Sequence, residues 1–109
     1  MGRDFYCEQV FSGRTAVRVV EDGPRVLAFE HTKPAYPVHV VVVPKQHVLS
    51  LLDLGDGGEE LLSSVMAVVR SVAAAVTDEH GACRVITNTG AYQDSPHLHF
   101  HVVSGQRLA

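Results

Sequence analysis

The 109-residue chain has no tryptophan, 6% aromatic residues and only two cysteines. Each shortage narrows what it can do. Cys7 and Cys83 lie far apart and form no CxxC pair. That spacing argues against a disulfide framework and favours a reducing compartment. No run of lysine or arginine occurs and the formal net charge is -3, which argues against a surface built to grip a nucleic-acid polymer. The longest near-unbroken apolar run, Val38 to Val43, is far too short to span a bilayer. The opening residues, Met1-Gly2-Arg3-Asp4-Phe5, lack the apolar stretch of a signal peptide, and Tyr6 stands where a myristoylation signal needs Ser or Thr. The expectation is a cytoplasmic protein with neither membrane nor nucleic acid among its partners.

What the chain does contain is a normal core and an excess of histidine. At 46% hydrophobic and 19% charged it is composed like one globular domain, expected to span residues 1–109. Residues 15–21 and 25–31 read as strands joined at the turn signal Asp22-Gly23. Val38–Val43 is a β-branched strand closed by Pro44. From Glu59 to Glu79 the apolar residues Leu61, Leu62, Val65, Met66, Val69, Val72, Ala73 and Val76 recur at helical spacing, and Gly81 supplies a stop. Residues 84–88 and 97–103 read as further strands. Strands, one long helix, then strands predict an α+β domain: an antiparallel sheet of about five strands with the helix covering one face.

Three of the seven histidines fall in the stretch His97-Leu98-His99-Phe100-His101. Residues two apart on a strand share a face, so the imidazoles line one side while Leu98, Phe100 and Val102 line the other and pack into a core. Imidazole near neutral pH is a nucleophile, a base, a hydrogen-bond donor or a metal ligand. Three on one face suit phosphate chemistry or a metal.

The stretch Gln93-Asp94-Ser95-Pro96 followed by His97-Leu98-His99-Phe100-His101-Val102-Val103 closely resembles the signature of the histidine triad (HIT) family of nucleotide hydrolases and transferases. Leu27-Ala28-Phe29, Pro34…Pro37-Val38-His39, Val42-Val43-Pro44-Lys45-Gln46-His47 and Asn88-x-Gly90 are similar to further landmarks of that family, in the same order. The resemblance implies a HIT-like fold with a short N-terminal helix, a homodimer, and a purine nucleotide as small-molecule substrate. It implies two-step cleavage at the α-phosphate of a nucleoside phosphoramidate or dinucleoside polyphosphate, through a covalent nucleotidyl-histidine on His99. His97 and His101 match the flanking histidines that orient His99 and handle phosphoryl oxygens and leaving group. His39 matches a supporting histidine behind the triad. Asn88, Gln93, Asp94 and Ser95 match positions at the phosphate or leaving group, and Phe5, Tyr6 and Phe29 match the nucleobase pocket.

The chain departs from the family pattern in places. The acidic residue that binds ribose hydroxyls is His31 here, with Glu30 just before it. Ala91-Tyr92 stands where small glycine-rich pairs are common, and the chain ends at Ala109 without the longer tail of the phosphoramidase branch. Some bacterial relatives hold a structural zinc with an N-terminal CxxC and two histidines. Asp4, Cys7, His47 and His97 occupy those positions, and zinc accepts carboxylate as well as nitrogen and sulfur. The landmarks otherwise point to a reaction with no metal and no cofactor. Two other readings stand beside the enzyme: a non-catalytic purine nucleotide-binding module, and a zinc-containing variant.

Overall fold

The computed structural model describes residues 4–108; the ends of the expected 1–109 domain, residues 1–3 and 109, lie outside the described residues. The strands are β1 (Val19–Asp22), β2 (Val26–Glu30), β3 (Val38–Pro44), β4 (Arg84–Thr87) and β5 (Phe100–Ser104), and the helix α1 is Gly58–His80. The valine run of β3 lies at the centre, antiparallel to β2 on one side and β5 on the other, in a sheet ordered β1-β2-β3-β5-β4. β-branched side chains suit that place, because both faces of the strand are covered.

The two faces have different covers. On one, α1 lays Leu61, Val65, Val69, Val72 and Val76 over Val26, Ala28, Val40, Val42, Leu98, Phe100 and Val102. Burial of each such valine or leucine is worth about 1.5–3 kcal/mol. By length and composition α1 could cross a membrane, but this apolar stripe is the core of the fold. Gly81 ends the helix at φ +88°, its N–H donating to the Thr77 carbonyl. On the other face, Tyr6 and Val10 of a one-turn π-helix (Tyr6–Val10) pack on Leu27, Phe29, Val41 and Val43.

Two strands begin three or four residues later than the sequence reading has them, and the other boundaries move by a residue. β1 begins at Val19 and not at Thr15, because the Thr15 N–H donates to the Gln9 carbonyl and so belongs to the end of the N-terminal segment. β5 begins at Phe100 and not at His97. The Leu98 N–H instead donates to the Val48 carbonyl, on a loop outside the ladder. The alternation of faces survives this break, with Leu98 still in the helix-side core.

Candidate active site

The face opposite α1 carries a pocket of about 230 Å³. Phe5, Tyr6 and Phe29 form an aromatic wall; His31, Thr32 and Lys33 stand at one side; Asp94, Ser95, His99 and His101 complete it. Register explains the placement of His101, which pairs with Val41 and therefore shares the face covered by the N-terminal segment. The Tyr6 ring lies 5.0 Å from that of His99 and 6.1 Å from that of Phe29. Burial and the nearby Asp94 charge push the Tyr6 phenol up, so it stays protonated.

The backbone fixes the protonation of His99. Its Nδ1–H donates to the His97 carbonyl at 2.7 Å, which leaves Nε2 unprotonated as the ring's free nitrogen. Burial lowers the His99 pKa and favours this neutral form. The Thr87 hydroxyl donates to the His99 carbonyl at 2.7 Å and pins the main chain there. Nothing in the sequence marks Thr87 for this role; it comes from the pairing of β4 with β5.

A second chain of hydrogen bonds orients His101. The Ala35 N–H donates to His39 Nδ1 at 3.0 Å, so the His39 proton resides on Nε2. That Nε2–H donates to His101 Nδ1 at 2.8 Å, which forces the His101 proton onto its own Nε2. Burial, with His31 as a like-charge neighbour, lowers His39 to about 4. Burial and the surrounding imidazoles lower His101 to about 3. Both rings are neutral at pH 7. One strand end thus presents a neutral imidazole with a free nitrogen beside a neutral imidazole with a free N–H.

The chain as a whole has counterparts among known proteins. The HIT domain pattern matches residues 13–108. The chain belongs to the HIT family. An uncharacterized HIT-like protein of Synechococcus elongatus is 31% identical over 100% of this chain and 96% of its own length. A histidine triad protein from Clostridium difficile superposes with a TM-score of 0.80 at 33% identity, covering 100% of this chain and 97% of that one. A HIT family hydrolase from Legionella pneumophila does so with a TM-score of 0.81 at 25% identity, covering 98% and 96%.

Other residues expected at the HIT site are placed unevenly. Ser95 and Asp94 line the pocket, and Ser95 Oγ accepts the Phe5 N–H at 2.9 Å, tying the aromatic wall to the loop. Asn88 lies in a neighbouring cavity with Asp94 and His101. Gln93 turns inward: its side chain is buried and donates to the Leu49 carbonyl at 2.6 Å, so it holds the loop and does not line the pocket. Glu30 points to the other side of the sheet, pairs with Arg18 at 3.2 Å and lines a separate cavity beside α1. It does not replace the missing ribose carboxylate. His31 does line the pocket, with Nδ1 accepting the Lys33 N–H at 2.9 Å. The His31 proton therefore resides on Nε2, and the pocket has a ring N–H at this position. Within the triad, His39 hydrogen-bonds to His101.

His97 is the largest correction. It shares a face with His99 by spacing, yet it is fully buried and lines no part of the pocket. Its Nε2–H donates to the Pro44 carbonyl at 2.8 Å, and its Nδ1 faces Asp4 Oδ2 at 2.8 Å and Cys7 Sγ at 3.5 Å. His97 orients His99 through its carbonyl and not through its ring.

Among the described residues, two groups of side chains bring metal-ligating atoms together. Asp4, Cys7, His47 and His97 bring one ligand atom each to within 4.8 Å of one another. Cys7 Sγ lies 3.5 and 3.8 Å from the two Nδ1 atoms, near the edge of about 3.6 Å that zinc–sulfur and zinc–nitrogen bond lengths give a tetrahedron. The donor types suit zinc, while the Asp4 Oδ2 contacts with His47 and His97 Nδ1, at 2.5 and 2.8 Å, are hydrogen bonds. Burial opposes the Asp4 charge, but hydrogen bonds from His97 and the Cys7 amide outweigh it and hold Asp4 down to about 2. Burial and Asp4 push the Cys7 thiol up to about 11 when no cation is near. His31, His39 and His101 also converge. There the His39 Nε2–H already occupies His101 Nδ1, and the Nδ1 atoms of His31 and His39 are taken by the Lys33 and Ala35 amides.

Proposed function

We propose that this HIT protein cleaves nucleoside phosphoramidates or dinucleoside polyphosphates at the α-phosphate, by nucleotidyl transfer to His99 and then to water. The observation that carries this reading is the hydrogen bond from His99 Nδ1–H to the His97 carbonyl, which frees Nε2 on a neutral ring at the pocket. In the first step the Nε2–P bond forms, the bond from phosphorus to the leaving group breaks, and the leaving group takes up a proton from solvent. The ring gains positive charge as it bonds to phosphorus, and the His97 carbonyl already sits against its Nδ1–H. In the second step the oxygen of water bonds to phosphorus, the Nε2–P bond breaks and the water releases a proton. Splitting one hard displacement into two easier ones is the advantage of covalent catalysis.

His101 serves as a fixed donor. Its Nε2–H would meet a phosphoryl oxygen where negative charge grows, and a preorganised donor of that kind contributes about 10²–10³ in kcat. The aromatic wall of Phe5, Tyr6 and Phe29 suits a purine base. A zinc ion on Asp4, Cys7, His47 and His97 would supply a structural tie and no chemistry at phosphorus. We place the protein in the cytoplasm as a homodimer, for which the exposed Val85 on the edge strand β4 offers one surface.

Rapid quenching with a slowly hydrolysed adenosine phosphoramidate tests the reading. The expected adduct is acid-labile, base-stable and mapped to His99, and it is absent from His99→Ala, which still binds AMP within a few-fold. Turnover by His99→Ala, or an adduct on His101 or Ser95, refutes it.

A further inference from the structure

Phe29 of β2, Val41 of β3 and His101 of β5 stand in one row across the sheet, paired strand to strand. A nucleotide with its base on the aromatic wall and its phosphate at His99 and His101 carries its sugar over Val41, which lines the pocket between them. The next row of the sheet borders that crossing. His31 follows Phe29 by two residues, and its N–H continues the ladder to the His39 carbonyl at 2.8 Å, so it shares the face of Phe29. Its ring lies 4.3 Å from that of His39 and 5.9 Å from that of His101. Thr32 and Lys33 complete this border of the pocket.

The border is built from donors. His31 Nδ1 accepts the Lys33 N–H at 2.9 Å, so Nε2 carries the proton. Burial lowers the pKa of His31, and at pH 7 the ring gives a hydrogen bond and no charge. The charge comes from Lys33, and from Arg107 in an adjoining cavity of about 300 Å³ that shares His31, Lys33 and His101 with the pocket. Glu30, the acid next to His31, is drawn off to Arg18 on the other side of the sheet. A carboxylate at a sugar edge accepts from ribose hydroxyls, whereas a cation there suits a phosphate; dinucleotide-binding folds separate a ribose hydroxyl from a ribose phosphate by that exchange.

We propose that His31, Thr32 and Lys33 bind a phosphate group on the sugar, so that the preferred nucleotide carries a second phosphate on its 2′- or 3′-oxygen. This rests on the pocket being a nucleotide site with the reacting phosphate at His99. Lys33 supplies the charge, and the His31 Nε2–H supplies a donor whose direction its own Nδ1 bond has fixed. Asp94 is the carboxylate among the described residues that line the pocket, and its charge opposes a second phosphate. The two cations, Lys33 and Arg107, outnumber it.

The experiment is calorimetric titration of the full chain with AMP, ADP, adenosine 2′,5′-bisphosphate and adenosine 3′,5′-bisphosphate. One of the two bisphosphates should bind about tenfold or more tighter than AMP, the scale of a hydrogen bond to a charged group, and ADP should not match it. Lys33→Gln should cut that preference to less than about threefold, and Asp94→Asn should widen it. Added salt should narrow it, because the rim is open to solvent. AMP that binds as tightly as both bisphosphates overturns the site. So does a preference that survives Lys33→Gln. ADP binding as tightly as the better bisphosphate places the second anion in the phosphate chain and overturns the assignment to the sugar. If none of the four ligands binds, the nucleotide reading itself falls, and the sugar-phosphate site with it. If AMP binds and the adduct forms on His99 while the bisphosphates gain nothing, the sugar-phosphate site falls alone.

Discussion

Replacing His39 with alanine isolates the hydrogen-bond chain behind the proposed reaction centre. The His39 ring accepts the Ala35 N–H at 3.0 Å and donates to His101 Nδ1 at 2.8 Å, and through that second bond it keeps the His101 proton on Nε2. Without it His101 divides between two tautomers, and only one presents a donor to phosphate. A net hydrogen bond is worth about 0.5–1.5 kcal/mol, so kcat should fall about 2- to 13-fold. His101→Ala removes the donor itself and should cost about 10²–10³. In the His101→Ala background, adding His39→Ala should cost less than a further twofold, because nothing is left to orient. The assay is steady-state cleavage of a fluorogenic adenosine phosphoramidate, with circular dichroism as the check on folding. The reasoning fails if His39→Ala is as damaging as His99→Ala, or if the two losses multiply.

Three further outcomes are expected. Stability should fall on acidification. His39 and His101 are held neutral in the fold, at about 4 and about 3, so below pH 6.5 the unfolded chain binds more protons. Each group should then cost up to about 1.4 kcal/mol per pH unit down to its folded value; urea midpoints between pH 7 and 4 measure this, and a flat profile contradicts it. Gln93→Leu leaves the Leu49 carbonyl without its donor and should destabilise by about 1–3 kcal/mol while kcat falls less than tenfold; a lost turnover with native stability would return Gln93 to the pocket. His31→Asp should improve discrimination of ribonucleotides over deoxyribonucleotides by about 1 kcal/mol or more, measured by calorimetry, and an unchanged ratio would mean that the position does not face the sugar.

Much of this was legible in the residues. The three- and four-residue spacing from Leu61 to Val76 gave one amphipathic helix, and Gly81 gave its end at a positive φ that other residues avoid. Alternation fixed Leu98, Phe100 and Val102 as core and set the histidines on the opposite face, even though the ladder begins only at Phe100. Periodicity is a local property of the chain, so it survives in the sequence. The ordered landmarks around His39 and His99 similarly carried the family.

The uses of those side chains were decided by partners that no local pattern encodes. His97 leaves the pocket because Asp4, 93 residues away, and the Pro44 carbonyl, 53 residues away, claim its two nitrogens. Gln93 is lost to the site because the Leu49 carbonyl, 44 residues away, takes its amide. The free nitrogen of His99 and the free N–H of His101 follow from which backbone groups approach each ring, and a sequence records neither tautomers nor their neighbours. Spacing along the chain determined which face each histidine occupies; only packing between distant segments, where every buried donor and acceptor must find a partner, decided which of them lines the pocket.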